Sequence, residues 1–465
     1  PLVWYHPLPP AVFRPVLRRC TGIQSPASRP FCAWQYLQSP YRRRRVLREN
    51  IRFFRRVRGW MAEHREFLGK RNMQSDDAIR PEGAPAAACV SKTVASTPLL
   101  DGYHMPAEWE PHERTWMLWP TRRDTWKAAA RPAQRAFAEV AKAIARFEPV
   151  VVGVPAGHLL SARTQLDAAG IDVVFMEQDD AWMRDTGPVF VVERSGHRKS
   201  NAQQPGPRNI RGVDWSFNAW GGELGGCFST WDKDNAIAST VLEHVGADRY
   251  KANMVLEGGS IHVDGEGTII TTEECLLNPN RNPTLTKSEI ERYLRDYLGV
   301  ESVLWLGQGV IGDGDTDGHV DNLLAFVRPG EVVLHWTDDT RDPQYPVSSD
   351  ALRKLECFRD AKGRQLKVHK CLLPGPLYTS MEDVLSLERK VGTRDRVHGD
   401  RLAASYVNFY LANGAVILPG FGVPEDEAAS RLFKAIFPDR EVVQVNTLDI
   451  ALGGGNIHCI TQQQP

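Results

Sequence analysis

One order of elements recurs five times along this chain: strand, strand, helix, strand. Units that thin cannot bury both faces alone, so the recurrence constrains the fold more than any single motif. The clearest unit lies near the C-terminus, where Tyr406 to Leu411 and Ala415 to Pro419 flank an Asn413-Gly414 turn and read as a hairpin. Ala429, Leu432, Phe433, Ile436 and Phe437 then fall at helical spacing within Pro424 to Phe437, and Val442 to Val445 returns as a strand. Upstream, Leu323 to Val327, a Pro329-Gly330 turn, Val332 to Trp336, a helix around Leu352 to Phe358 and Leu366 to Leu373 repeat the order. A third unit runs from a hairpin over Ser260 to Thr272, through a helix with Ile290, Tyr293, Leu294, Tyr297 and Leu298 on one face, to Val303 to Leu306. A looser fourth comprises Val189 to Val192, Trp215 to Trp220, a helix about Asp232 to Val245, and Met254 to Leu256. The unit that comes first along the chain departs from the pattern: Thr115 to Trp119, a helix with Phe137, Val140, Ile144 and Phe147, Val150 to Val154, a short helix, then Val173 to Met176. Five such α/β units are expected to pack in a ring, helices outside and strands toward an axis, leaving a central funnel.

The ring gives the chemically loaded motifs one address. Asp179 to Asp185, Glu257 to Ser260, Asp313 to Asp321 and Gly453 to Cys459 each follow the last strand of a unit or open the next. The longest glycine run, Gly453-Gly454-Gly455 before Asn456-Ile457-His458-Cys459, permits close approach and positive φ. It makes Cys459 the candidate nucleophile, against the ordinary fate of a cysteine as an inert buried thiol. His458 is adjacent in sequence, and on a strand adjacent side chains point to opposite faces, which reads as a structural role. His319 and Asp321 are two apart, so on a strand both address one ligand. In Trp182-Met183-Arg184-Asp185 an indole and a carboxylate stand three residues apart, a pair that suits a guanidinium or ammonium ligand; core packing of Trp182 beside surface charges is the alternative. Glu257 adds a carboxylate beside Gly258-Gly259, which also reads as a simple turn. Asp313-Gly314-Asp315-Thr316-Asp317-Gly318 imitates the opening of a calcium loop, but its twelfth position is Leu324 rather than a bidentate Glu. One thiol, one His and several acids without a matching set of His ligands argue against zinc, and no phosphate-binding G-x-x-x-x-G-K-[ST] loop is present. No metal or organic cofactor is expected. The set fits a planar, cationic electrophile.

Charge points the same way. Lys+Arg and Asp+Glu balance at 57 each, which removes a net-charge argument for nucleic-acid binding. The balance conceals a split, because residues 1–75 hold 16 basic and three acidic side chains, leaving residues 76–465 at −13. An acidic body suits a cationic substrate. From Pro1 to Arg48 there is no acidic residue, a composition like that of an organelle transit segment, a disordered basic tail or wrongly joined coding sequence. Together with a Pro/Ala/Ser/Thr-rich linker ending near Pro98, this assigns residues 1–97 to an unstructured Arg-rich extension and 98–465 to the catalytic domain. The location reads as cytoplasmic, or as plastid or mitochondrion if the extension is a transit peptide. No apolar run of about 18 residues occurs, so no membrane-spanning helix is expected. The eight cysteines lack any CxxC, which reads as reduced thiols.

Trp182-Met183-Arg184-Asp185-Thr186-Gly187-Pro188, Glu257-Gly258-Gly259, Gly318-His319-Val320-Asp321-Asn322 and the Gly453 to Cys459 loop together resemble the agmatine deiminases of the guanidine-modifying, peptidylarginine-deiminase-like superfamily. The likeness extends through His112 to Pro120, Phe217 to Gly222 and Ala404 to Tyr410, and covers about Pro98 to Pro465. It implies a five-bladed, pseudo-symmetric α/β propeller (pentein fold), and hydrolysis of agmatine to N-carbamoylputrescine and ammonia on the way to putrescine. It further implies that Cys459 attacks the guanidinium carbon through a covalent amidino-thioether, that Asp185 and Asp321 hold the guanidinium nitrogens, and that His319, paired with Glu257, moves protons. Trp182 would line the alkyl channel and Asp315 meet the distal amine. A homodimer is expected for such a family. Rival readings are a deiminase of free or peptidyl arginine, an amidinotransferase, and a non-catalytic propeller that binds amines or calcium.

Overall fold

The computed structural model describes residues 91–194 and 209–465. Five separate sheets account for all its strands, and four of them repeat one rule of connection. A hairpin or loop joins an antiparallel pair, and a helix then carries the chain back to a third strand parallel to the second, since a parallel pair needs a crossover. The third blade pairs Ile261–Val263 with Thr268–Thr272 antiparallel, then Thr268–Thr272 with Ser302–Leu306 parallel. Its crossover helix, Lys287–Leu298, starts on a capping box between Thr286 and Glu289 and stops at Gly299, whose φ of 68° a side chain would resist. Ile290, Leu294 and Leu298 form its buried stripe. The fourth blade (Leu324–Arg328, Glu331–Trp336, Lys367–Leu372) and the fifth (Tyr410–Ala412, Ala415–Gly420, Glu441–Asn446) follow the same rule, with crossover helices Gln344–Cys357 and Glu425–Ile436.

The irregular first unit is explained by closure of the ring. Arg114–Leu118 lacks a preceding hairpin partner because that partner is the end of the chain: Thr461–Gln464 pairs antiparallel to it, Thr461 opposite Met117. Val150–Val154 and Ile171–Phe175 complete this blade in parallel. The second blade gains an extra edge from Tyr103–His104 beside Val189–Glu193, followed by Ile210–Ser216 and Asp248–Val255.

Apolar contacts run between neighbouring blades rather than through one central core. Val213 and Tyr250 of the second blade cluster with Ile261 and Ile269 of the third. Ile270 of the third joins Leu324 and Phe326 of the fourth, Val333 of the fourth joins Val416 of the fifth, and Ile417 of the fifth joins Val151 of the first. Each fully buried side chain of this kind stabilises by about 1.5–3 kcal/mol. The axis is thereby left to polar groups.

Several boundaries differ from expectation. The second blade's middle strand is Ile210–Ser216, not Trp215 to Trp220, because Ala219 and Trp220 adopt left-handed conformations (φ 55° and 60°) that end a strand. Its last strand begins at Asp248, concealed in sequence because the half-buried charged residues Asp248, Arg249 and Lys251 surround the buried Tyr250. In the fifth blade Tyr406 to Phe409 is turn, and the strand starts only at Tyr410. Residues 91–97 are not linker: Thr93 bridges Arg249 and Val94 N–H donates to the Arg249 carbonyl at 2.8 Å, docking this segment on the second blade. The rest of the expected extension, 1–90, lies outside the described residues. Among the described residues no helix is long and apolar enough to cross a membrane.

Candidate active site

The segments that link one blade to the next bring their side chains to a common point. Asp185 lies on the short helix Met183–Thr186 after the first blade, and Glu257 precedes the turn Gly258–Ser260 after the second. His319 and Asp321 open the short helix Val320–Leu323 after the third, and Cys459 follows the fifth in a turn ahead of Thr461. Gly259 marks where they meet. A Cβ there would stand 2.6 Å from His319 Nδ1 and 2.9 Å from both Asp185 Oδ1 and Asp321 Oδ2, so no side chain fits. Cys459 Sγ is 3.4 Å from Asp321 Oδ2. His319 sits between two acids, with Nδ1 3.8 Å from Asp185 Oδ1 and Nε2 3.8 Å from Glu257 Oε2.

A cavity of about 480 Å³ leads to this point. Cys459 and Asp185 reach its lining, as do Trp182, Trp220, Phe228 and Asp315. His319, Glu257 and Asp321 are buried just behind it. The glycine run shapes one wall by proximity to side chains: a Cβ on Gly453 would strike Trp126 at 2.3 Å, and one on Gly455 would stand 2.6 Å from the Trp182 ring and 2.9 Å from Cys459 Sγ. Of the three glycines only Gly454 has positive φ, 117°. Trp182 is fixed from behind, its Nε1 donating to Asp180 Oδ2 at 3.0 Å, while Trp126 donates to Asp180 Oδ1 at 2.7 Å and packs its ring, tilted by 30°, against that of Trp182 with centroids 5.2 Å apart.

The electrostatics favour a cation. Burial pushes the Asp185 carboxyl up, and the neighbouring Asp321 and Glu257 charges add to this against His319. Burial likewise pushes the Cys459 thiol well up, reinforced by Asp321 and Asp185. Burial opposes charge on His319, yet Asp185, the Cys275 thiol and Glu257 outweigh it and hold the ring protonated. Glu257 stays ionised, down to about 2 in spite of burial, because Arg281 donates to it at 2.6 Å and His319 lies beside it. Thiol and imidazolium are thus the resting forms, and Asp185 is the acid among the three left short of positive charge.

Among the described residues, two sets of side chains lie close enough together to hold a metal ion: Glu257, Cys275 and His319, and Glu108, His262 and His458. Each carboxylate also carries a guanidinium, Arg281 on Glu257 and Arg184 on Glu108, which opposes a further cation there.

The expected site residues converge, but not all for the expected reason. His319 and Asp321 share a target because the first caps a helical turn that the second continues, not because they alternate on a strand. Cys459 and His458 likewise occupy a turn. The calcium-like loop splits its acids: Asp313 accepts from the His319 backbone N–H, Asp315 pairs with Arg394 and Arg396, and Asp317 pairs with Arg281. Trp182 and Asp315 line the cavity. Asn408 went unassigned in the sequence reading, and its Nδ2 donates to Cys459 Sγ at 3.2 Å while its Oδ1 accepts from the His458 and Cys459 N–H groups. A signal existed, since an Asn inside the apolar run Tyr406-Val407-Asn408-Phe409-Tyr410-Leu411 must find a buried partner. Trp220, which donates to Asp185 Oδ2 at 2.9 Å, and Glu108 carried no such mark.

Known proteins resemble this chain in sequence and fold. Residues 104–465 match the model of the Porphyromonas-type peptidyl-arginine deiminase family. An agmatine deiminase of Pseudomonas aeruginosa is 56% identical over 371 residues, covering 80% of this chain and 97% of the relative. That of Ectopseudomonas mendocina is 52% identical over 374 residues, 80% of this chain and 98% of the relative. The solved agmatine deiminase of Enterococcus faecalis superposes with a TM-score of 0.76 at 45% identity, covering 81% of this chain and 99% of its own. A ring of five blades closed by the chain's last strand, with a family match across nearly all the described residues, makes this chain a member of the Porphyromonas-type peptidyl-arginine deiminase family.

Proposed function

We propose that the enzyme hydrolyses agmatine to N-carbamoylputrescine and ammonia. The observation that carries this reading is the buried junction at Gly259, where Asp185, Asp321, His319 and, through Asp321, the Cys459 thiol face one small volume at the end of a cavity. The agmatine deiminases at more than 50% identity support agmatine as the guanidine.

A guanidinium is a poor electrophile because its charge is spread over three nitrogens. Asp185 and Asp321 gripping its N–H groups fix the plane and expose one face of the carbon to sulfur, making the attack intramolecular in effect. The bound cation offsets the carboxylates that hold Cys459 as a thiol, so the thiol loses its proton to solvent as substrate enters, and regains one when the thiolate is released at the end of the cycle. The thiolate forms the C–S bond. His319, already protonated, gives its proton to the departing nitrogen, and ammonia leaves an amidino-thioether. Now neutral, His319 takes a proton from the water that attacks the same carbon; the C–S bond breaks and product departs. Glu257 holds the imidazolium, and Asn408 steadies the sulfur by donating to it. Trp182 lines the alkyl path and Asp315 neighbours the distal amine. By the same reading the substrate is a small diffusible cation in the cytoplasm and the enzyme a homodimer.

Arg394 and Arg396 favour a second reading, because guanidinium groups lining the cavity could meet the carboxylate of free arginine. Both are engaged by Asp315, which leaves agmatine the better fit. Ammonia release from agmatine, arginine and a blocked arginine peptide separates these cases. We expect kcat/KM for agmatine to exceed the others by at least about a hundredfold, since the arginine carboxylate would meet Asp315 with both neighbouring guanidiniums already engaged. Equal or faster turnover of arginine overturns the assignment.

A further inference from the structure

Behind Asp321 lies a line of buried ionisable groups that the chemistry above does not use. His458 Nδ1 stands 2.9 Å from Asp321 Oδ2 and His458 Nε2 stands 2.9 Å from Glu108 Oε1. Carboxylates on both ring nitrogens require both nitrogens to carry hydrogen, so His458 is an imidazolium. Arg184 Nη1 donates to the same Glu108 oxygen at 3.2 Å, and Arg184 Nε donates to the His458 carbonyl at 3.2 Å. His262 stacks on His458 at 5.8 Å but stays neutral, since its Nδ1 accepts the Phe326 N–H at 3.4 Å. The order of charge is therefore Arg184 positive, Glu108 negative, His458 positive, Asp321 negative. It ends on Oδ2 of Asp321, the oxygen 3.4 Å from Cys459 Sγ. The other oxygen, Oδ1, is buried and has no partner among the described residues.

We propose that Glu108 and His458 are positioning residues, which hold Asp321 ionised through one oxygen so that the other is presented to a guanidinium N–H. The proposal rests on the reading in which Asp321 grips the substrate. The physical need is plain. Asp321 shares its buried site with Asp185, Asp313 and the Cys459 thiol, with His319 as the nearby cation on the substrate side. Once His319 gives up its proton, His458, backed by Glu108, is the protein cation that still pairs with Asp321. His458 itself faces Arg184 and His262 as well as its two carboxylates, so a neutral residue at 108 leaves Asp321 alone to offset Arg184 and weakens the hold on the imidazolium proton.

The test uses Glu108→Gln, His458→Gln, Asp321→Asn and the two double variants with Asp321→Asn, each assayed for agmatine hydrolysis across pH, with thermal melting to confirm folding. We expect each single change at 108 or 458 to lower kcat/KM on the order of ten- to a hundredfold, mainly through KM, and to move the acidic limb of the profile up by about one pH unit. In the Asp321→Asn background either change should cost less than about twofold more, because its route of action is already gone. Losses that multiply in the double variants, or folded single variants with an unmoved acidic limb, overturn the positioning role and leave the function standing. A wild-type enzyme that releases no ammonia from agmatine, or an Asp321→Asn variant of full activity, overturns the reading beneath as well.

Discussion

Two acid-rich regions of the molecule do opposite things. The loop Asp313 to Asp317 has the look of a cation site, yet each acid is already spent: Asp313 on backbone and side-chain donors, Asp315 on Arg394 and Arg396, Asp317 on Arg281. The cradle of Asp185, Asp321 and Glu257 looks less acidic in sequence, being scattered over more than a hundred residues. In space its acids crowd one point, and burial with mutual repulsion pushes Asp185 up. Density of carboxylates along a chain thus says little about cation binding; what counts is which of them the fold brings to one buried point.

The largest effect should come from removing what the cradle serves. Cys459→Ala is expected to fold and bind agmatine but to lose at least about 10³-fold in kcat. Acid-quenched wild-type enzyme should carry the amidino mass on Cys459; normal turnover by the variant, or an adduct elsewhere, breaks the comparison at its centre.

Next is Asp185→Asn, which keeps shape and removes one charge. We expect kcat/KM to fall on the order of a hundredfold while stability at neutral pH rises. The sign follows from linkage: a carboxyl whose folded pKa is raised favours the folded state below its unfolded pKa and loses that contribution as pH climbs through the folded value. The variant's advantage in melting temperature should therefore be greatest near neutrality and vanish toward pH 4. A variant less stable than wild type at pH 7 would show that the cradle is not short of positive charge.

The smallest effects belong to the loop. Asp317→Asn should leave kcat/KM within about twofold, since Arg281 keeps Glu257, but should cost about 1–3 kcal/mol of stability in urea unfolding by depriving a fully buried guanidinium of one partner. Asp315, though paired with two arginines, also lines the cavity, so Asp315→Asn should raise KM for agmatine by no more than roughly tenfold with little change in kcat. A large loss of kcat at Asp317 would erase the distinction between the two regions.

The order of elements, the helix stripes and the glycine run could be read directly from the chain because each is local: periodicity follows from backbone geometry, whichever neighbours are later acquired. Cys459, His319, Asp185, Asp321 and Glu257 were legible as candidates, by residue type and by position at the ends of units. Tertiary structure alone decided that Thr461–Gln464 completes the blade begun at Arg114, that Asn408 serves the sulfur, and that Glu108 and Arg184 stand behind Asp321. It also decided that Asp313, Asp315 and Asp317 are tied down. The reason is physical: a side chain's type is written in the sequence, but its charge state and the partner that satisfies it depend on groups tens to hundreds of residues away, which only closure of the ring brings within hydrogen-bonding distance.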